Sequence, residues 1–215
     1  MPDDLIGIGK AVEGINQLTK EFRELIKSFA GPSAKEIGEL LADKIRYRRL
    51  KNLVPILQKA HRLLRNHGID PQEVNLKLLF PILQEASLEE EDELVQKWAG
   101  LLASAAAGNR VRSSYPKILS ELTCTDAKML DLMFLRYDEK KPYDKQDWST
   151  IQEMKKVANL SEEEALIAIT NISRLGLSNI PSGLSDALAM SDIVEYRIKL
   201  TPLGYDFVRA CEGPL

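Results

Sequence analysis

Residues 161–177, SEEEALIAITNISRLGL, carry a helix complete with its start and its stop. Ser161 followed three positions later by Glu164 is a capping box, in which hydroxyl and carboxylate satisfy orphan amides reciprocally. Gly176, after Arg174 and Leu175, is the residue type that ends a helix in a left-handed turn. Beyond it come a short apolar piece, Leu177 to Ile180, a polar Gly/Ser/Pro turn region and an alternating strand, Ile193 to Leu200. Thr201-Pro202-Leu203-Gly204-Tyr205-Asp206-Phe207 then opens a last helix. Upstream, the pattern predicts a short helix around Tyr115 to Glu121 and a capping region at Thr123-Cys124-Thr125-Asp126 for a helix ending near Tyr137. Asp138 to Asp144 reads as a loop, and Asp147-Trp148 as the opening of a helix that runs to Ala158.

Three helices, a two-stranded hairpin and a closing helix resemble a winged helix-turn-helix module. Its charge argues against a DNA reader. From Tyr115 onward there are 12 Lys/Arg against 16 Asp/Glu, a net of −4, whereas residues 1–114 hold 17 against 16, a net of +1. The helix that would enter a groove presents Glu162, Glu163 and Glu164 where phosphates and base edges would lie, and DNA repels anions there. The module is therefore expected to make protein contacts or to pack on the helical half. Arg197 and Lys199 are the candidate wing contacts if nucleic acid is bound.

The N-terminal half reads as helical throughout, with the polar linker 109–114, NRVRSS, closing it. Between Leu5 and Phe29, Ile8, Ile15, Phe22 and Phe29 recur every seven residues, with Ala11, Leu18 and Leu25 three positions after the first three. Such a stripe suits packing on a globular body, a dimer seam or, less readily given its mixed polar face, a membrane surface. Gly31-Pro32 ends this helix and Ser33-Ala34-Lys35-Glu36 is a capping box for the next, which keeps its period as far as Gly68 with a kink or break expected at Pro55. Asp70-Pro71 is expected to cap a third helix, interrupted at Pro81, and Ser87-Leu88-Glu89-Glu90 to open a fourth through Trp98 to about Ala107. The fold class expected is mainly α: an N-terminal amphipathic helix (1–30) and a helical bundle domain (31–112), then a winged-helix-like α+β module (113–215) with a small β-hairpin.

Charge is segregated within the helical half. From Asp43 to Asp70 there are eight Lys/Arg and both histidines with no acid between those two aspartates, while Glu85 to Glu93 holds six acids and no base. Lys44, Arg46, Arg48, Arg49 and Lys51 crowd five cations into two turns and require an anionic partner or solvent. The acidic turn Glu89 to Glu93 of this chain or a second copy, nucleic-acid phosphates and anionic lipid are the candidates. Catalytic signatures are missing. His61 and His67 lie six apart, which fits no helical zinc pair, and Gly7-Ile8-Gly9-Lys10 is followed by Ala11 instead of the hydroxyl residue of a phosphate loop. No nucleophile with a base, no metal site, no cofactor and no small-molecule substrate can be read from the residues. Cys124 and Cys211 stand alone, Trp98 to Asn109 is too short to span a bilayer, and no secretory signal precedes Asp3. A cytoplasmic address and a non-enzymatic role follow as expectations.

Residues 31–52, GPSAKEIGELLADKIRYRRLKN, and 86–107, ASLEEEDELVQKWAGLLASAAA, resemble the two signature stretches of the bacterial abortive infection alpha (Abi-alpha) family. The resemblance continues through 122–130, LTCTDAKML, and loosens toward the C-terminus. It implies a prokaryotic or phage-related protein that stops infection by disabling the infected cell, and it assigns no catalytic residue. Gly38 for close helix approach, Trp98 as an aromatic anchor and Ser33 and Ser87 as caps are the positions it carries over. The function expected is phage defence through binding a protein partner or a second copy, with nucleic acid an option through the basic helix. The alternatives are a winged-helix transcriptional regulator and a membrane-perturbing effector acting through the N-terminal helix.

Overall fold

A computed structural model describes residues 3–33, 47–135, 149–179 and 197–214. Lys44, Arg46, Gly38, Ala34 to Glu36, the Asp138 to Asp144 loop, Asp147-Trp148, the polar turn region and the first half of the Ile193 to Leu200 strand lie outside the described residues. The chain divides into two compact units, Met1–Ser120 with Ala210–Leu215, and Glu121–Arg209. Its described residues are mainly helical, with one small antiparallel sheet.

In the first unit α1 (Asp3–Ala30) passes through a 3-10 turn (Gly31–Ser33), followed by α2 (Tyr47–Asn66), α3 (Leu76–Ala86), α4 (Asp92–Ala106) and α5 (Tyr115–Ser120). The stripe on α1 is a packing face in its described part: Phe22, Ile26 and Phe29 are buried, and α1 lies against α2. Leu53, Ile56, Leu57, Ala60 and Leu64 of α2 are buried toward α1 and α4. Pro55 does not break α2, which continues through it. Pro55 and Lys51 are both exposed, so the carbonyl that Pro55 leaves without a donor belongs to the solvent side of the helix. Pro81 likewise sits inside α3.

Two expected caps are corrected. The third helix starts at Leu76, not after Asp70-Pro71, with the Asn75 side chain accepting from the Lys77 amide. The segment before it is held as a strap: the Gln72 amide donates to Ala106 O at 2.7 Å and the Val74 amide to Phe29 O at 2.8 Å. Ser87 closes α3 instead of opening α4. It is fully buried, its Oγ donates to Gln84 O at 2.7 Å, and α4 begins at Asp92 behind Glu91. Burial of Ser87 at the end of α3 overrides the local S-x-x-E signal. In α4 every residue from Trp98 to Ser104 is buried, which explains the long uncharged run. A Cβ on Gly100 would stand 1.9 Å from Cys211 O.

The second unit contains α6 (Cys124–Leu135), β1 (Ser149–Thr150), α7 (Ile151–Ala158), α8 (Glu162–Arg174), β2 (Ser178–Asn179), β3 (Arg197–Leu200) and the start of α9 (Pro202–Glu212). The expected hairpin is present as β2 against β3, with Ser178 opposite Leu200, and β1 adds a third strand on the other edge of β3. Helix α7 is capped by Thr150 in a box with Glu153, three residues after the expected opening. The Ser161–Glu164 box caps α8 as expected. Its C-terminus closes in a Schellman turn: Gly176 has φ +74°, its amide donates to Ser173 O, and the Leu177 amide donates to Ile172 O. Thr201 fastens this corner to α9. Its amide donates to Leu177 O, its hydroxyl to Gly176 O, and the Gly204 amide donates to Thr201 Oγ1. A Cβ on Gly204 would meet Leu177 O at 1.9 Å.

Gly100→Ala and Gly204→Ala should each destabilise the protein by about 1–3 kcal/mol or more through backbone overpacking. Gly14→Ala, where a Cβ meets nothing within 4 Å, should stabilise by up to about 1 kcal/mol, the helix-propensity difference. Urea unfolding of the three variants checks the opposite signs.

Candidate functional site

The solvent side of α2 is a basic stripe. Arg48, Lys51, Arg62 and Arg65 are exposed along it, on the side opposite the buried Leu53, Leu57 and Leu64, and the helical rise spreads them over about 25 Å. At its N-terminal end the acidic block of the same chain supplies an anion. Arg48 Nε donates to Glu90 Oε1 at 2.6 Å and Arg48 Nη2 to Glu90 Oε2 at 2.8 Å, a bidentate pair. The bonds hold the Glu90 carboxyl below the usual carboxylate range, with Arg48's charge, Asn52 and Lys51 adding to the effect, and they raise the Arg48 guanidinium in turn. Asn52 braces the same turn by donating to Ser87 O at 3.1 Å. Arg49 is half-buried. Of the five cations of the run, then, Arg48 is engaged internally and Lys51 faces solvent.

At the other end of α2, Arg62 and Arg65 have no ion pair among the described residues. They flank a cleft of about 680 Å³ lined also by Leu25, Gln58, His61, Leu64 and residues 68–71. His61 is half-buried between α1 and α2, its ring 4.5 Å from that of Phe29. Its Nε2 lies 2.7 Å from Ser28 Oγ, and that hydroxyl is 3.0 Å from Leu25 O. With the hydroxyl proton directed at Leu25 O, Nε2–H donates to Ser28 Oγ; in the other tautomer Ser28 donates to Nε2. The buried Nδ1 has no partner among the described residues. Burial first, and the charge of Arg65 second, push the His61 pKa down. This Ser–His contact joins residues 33 apart in sequence, and the residue pattern gave no signal of it. Among the described residues no acid accepts from His61, the role that orients a catalytic base.

In the second unit, a polar network fixes the start of α6 against α8. Asp126 is buried and accepts from the Thr123 amide at 2.8 Å and from Asn171 Nδ2 at 2.9 Å. Arg174 donates to Asn171 Oδ1 and to Glu121 Oε2. Of the candidate wing residues, Lys199 is half-buried on β3 between the buried Ile198 and Leu200, and Arg197 begins the same strand. The outward face of α8 carries Glu163, Ile167 and Thr170, with Ile167 63% exposed. Among the described residues, no group of three or more His, Cys, Asp or Glu could hold a metal ion, and no helix is long and apolar enough to cross a membrane.

A family model described as abortive infection alpha matches residues 50–211. The chain belongs to the abortive infection alpha family. The match takes in the cleft-bearing end of α2, the acidic block and nearly all of the C-terminal unit, and it starts after most of the 31–52 stretch that suggested the resemblance. Neither the curated proteins nor the solved structures contain a match to the chain. Family membership associates the protein with abortive infection, a form of phage defence.

The exchange Arg48→Glu/Glu90→Arg should restore the pairing that either single change removes, and a double-mutant cycle in denaturant should show coupling that falls with added salt. The sign with pH follows from the depressed carboxyl. The contribution of Glu90 is present above its unfolded-state pKa of about 4.3 and is lost as pH falls through the lower folded-state value. Glu164, depressed by the bonds it accepts from the Ser161 amide and hydroxyl, behaves the same way. Urea midpoints of Glu90→Gln and wild type should converge as pH falls through that window.

Proposed function

We propose that this protein acts in the cytoplasm in abortive infection as a non-enzymatic binding protein, and that its C-terminal unit is a winged-helix module used to grip a protein partner. The order of elements supports the module: a helix, a strand, two helices and two strands, with sheet order β1-β3-β2. In such a module α8 is the helix that would read DNA.

The observation that carries the reading is the outward face of α8. It begins with Glu162, Glu163 and Glu164 and centres on exposed Ile167, while its one arginine, Arg174, is tied to Glu121 and Asn171. Anions at the leading end oppose phosphate, whereas an exposed apolar residue ringed by polar ones suits a protein interface.

Ile167→Glu should abolish protection in cells challenged with phage at low multiplicity, and the death of infected cells at high multiplicity, while leaving the circular dichroism and urea midpoint unchanged. Protection equal to wild type in that variant would remove α8 from the mechanism. A second reading, nucleic-acid binding, is favoured by the exposed cations of α2. It requires binding to a duplex that weakens steeply with salt and with Lys51→Glu.

A further inference from the structure

We infer that the cleft at the C-terminal end of α2 is a binding site for a small organic phosphate monoester, with Arg62 and Arg65 as its anion-binding residues. Three independent observations meet there.

The first is preformed shape. A cleft of about 680 Å³ lies in the size range of small-molecule sites. Its walls are fixed from several directions. Helix α2 ends in a Schellman turn, with the Gly68 amide on Arg65 O, the Ile69 amide on Leu64 O and Gly68 at φ +65°. The strap that follows is pinned by Gln72 to Ala106 O and by Val74 to Phe29 O. The cleft is thus bounded by regular structure and by backbone bonds, and little ordering remains to be done when a ligand enters.

The second is charge. Arg62 and Arg65 are one helical turn apart, close enough for both guanidinium groups to reach one anion. Both are exposed and neither has an ion pair among the described residues, in contrast to Arg48 at the other end of the helix, which holds Glu90. A carboxylate is neutralised in charge by a single bidentate arginine, whereas a phosphate monoester offers three oxygens and close to two charges, which suits two.

The third is the rest of the lining. Leu25, Leu64, Ile69 and Pro71 give an apolar surface for an organic body. His61 contributes an uncharged ring, since burial disfavours its protonated form. Asp70 is an acceptor for a hydrogen bond donated by a hydroxyl or amino group of that body and would repel a second anionic group. A bare anion uses the arginines alone; an ester with a polar, partly apolar body uses the whole lining.

The test is calorimetric titration of the full chain with adenosine monophosphate, and separately with inorganic phosphate and with adenosine. Adenosine monophosphate should bind, inorganic phosphate should bind at least about tenfold more weakly, and adenosine should bind more weakly still. Arg62→Gln/Arg65→Gln should weaken the nucleotide about tenfold or more with an unchanged urea midpoint, because both side chains are exposed. Gln58→Trp, which narrows the cleft from an exposed position without altering charge, should weaken the nucleotide and leave inorganic phosphate unaffected. No binding of any of the three probes, or equal binding to wild type and the double variant, would overturn the proposal. So would a result in which only duplex DNA binds and loses affinity in the double variant, since the arginines would then belong to a nucleic-acid surface. A phage challenge is not part of this readout, so its outcome stands apart from the role proposed for α8.

Discussion

Helix α4 has no solvent side along its middle, and the first unit is arranged around that constraint. From Trp98 to Ser104 every residue is buried, which is attainable only because the run Ala99-Gly100-Leu101-Leu102-Ala103 is small enough on some faces for neighbouring backbones to come close. Gly100 marks the closest approach, with Cys211 O where a side chain would begin. The same helix anchors what surrounds it: Ala106 O holds the strap after α2, and Lys97 pairs with Glu212. A change in α4 therefore reaches the rim of the α2 cleft through one backbone bond, and reaches the chain's end through another contact.

The second unit depends on a different device. A corner between α8 and β2 is closed by Gly176, and its outward carbonyls are taken up by Thr201. Beneath it, the Asp126–Asn171–Arg174–Glu121 network occupies the arginine that could otherwise face a ligand. Buried Asp126 would be costly without its two donors, so Arg174 belongs to the internal bonding of the unit, and the outward face of α8 is left acidic and apolar. The functional reading of that face is thus a consequence of how the corner is held together.

Signals confined to a few consecutive residues were the legible ones. The Ser161–Glu164 box and the Gly176 stop are local, and the tertiary bonds of Thr201 to Gly176 O and Leu177 O leave its local bond to the Gly204 amide in place. Ser87 shows the opposite case. Its sequence matches a capping box, but the residue is needed, fully buried, at the end of α3, and Arg48 reaches Glu90 from another helix. The expected break at Pro55 presumes a carbonyl that cannot be solvated; at this exposed position the helix continues. Strand β1 is two residues long and has no alternation to detect, and the Ser28–His61 contact exists only once α1 and α2 are packed. The basic block from Asp43 to Asp70 is visible as composition, but which of its cations is paired depends on where Glu90 is brought in space.

That pairing decides how the basic stripe can act. Were all its cations unpaired, the stripe would behave as an extended positive surface, attracting any polyanion in a salt-sensitive, shape-insensitive way. With Arg48 bonded to Glu90, Arg62 and Arg65 are the cations of the stripe that stand beside a concave wall, one that also presents Asp70. A carboxylate at the rim works against a polyanion, whose neighbouring phosphates it repels, more than against a ligand with one phosphate and a hydrogen-bond donor. In a chain of net charge −3, long-range attraction of nucleic acid is weak to begin with, so selectivity at this end of α2 rests on the short-range fit of one anion to two guanidinium groups.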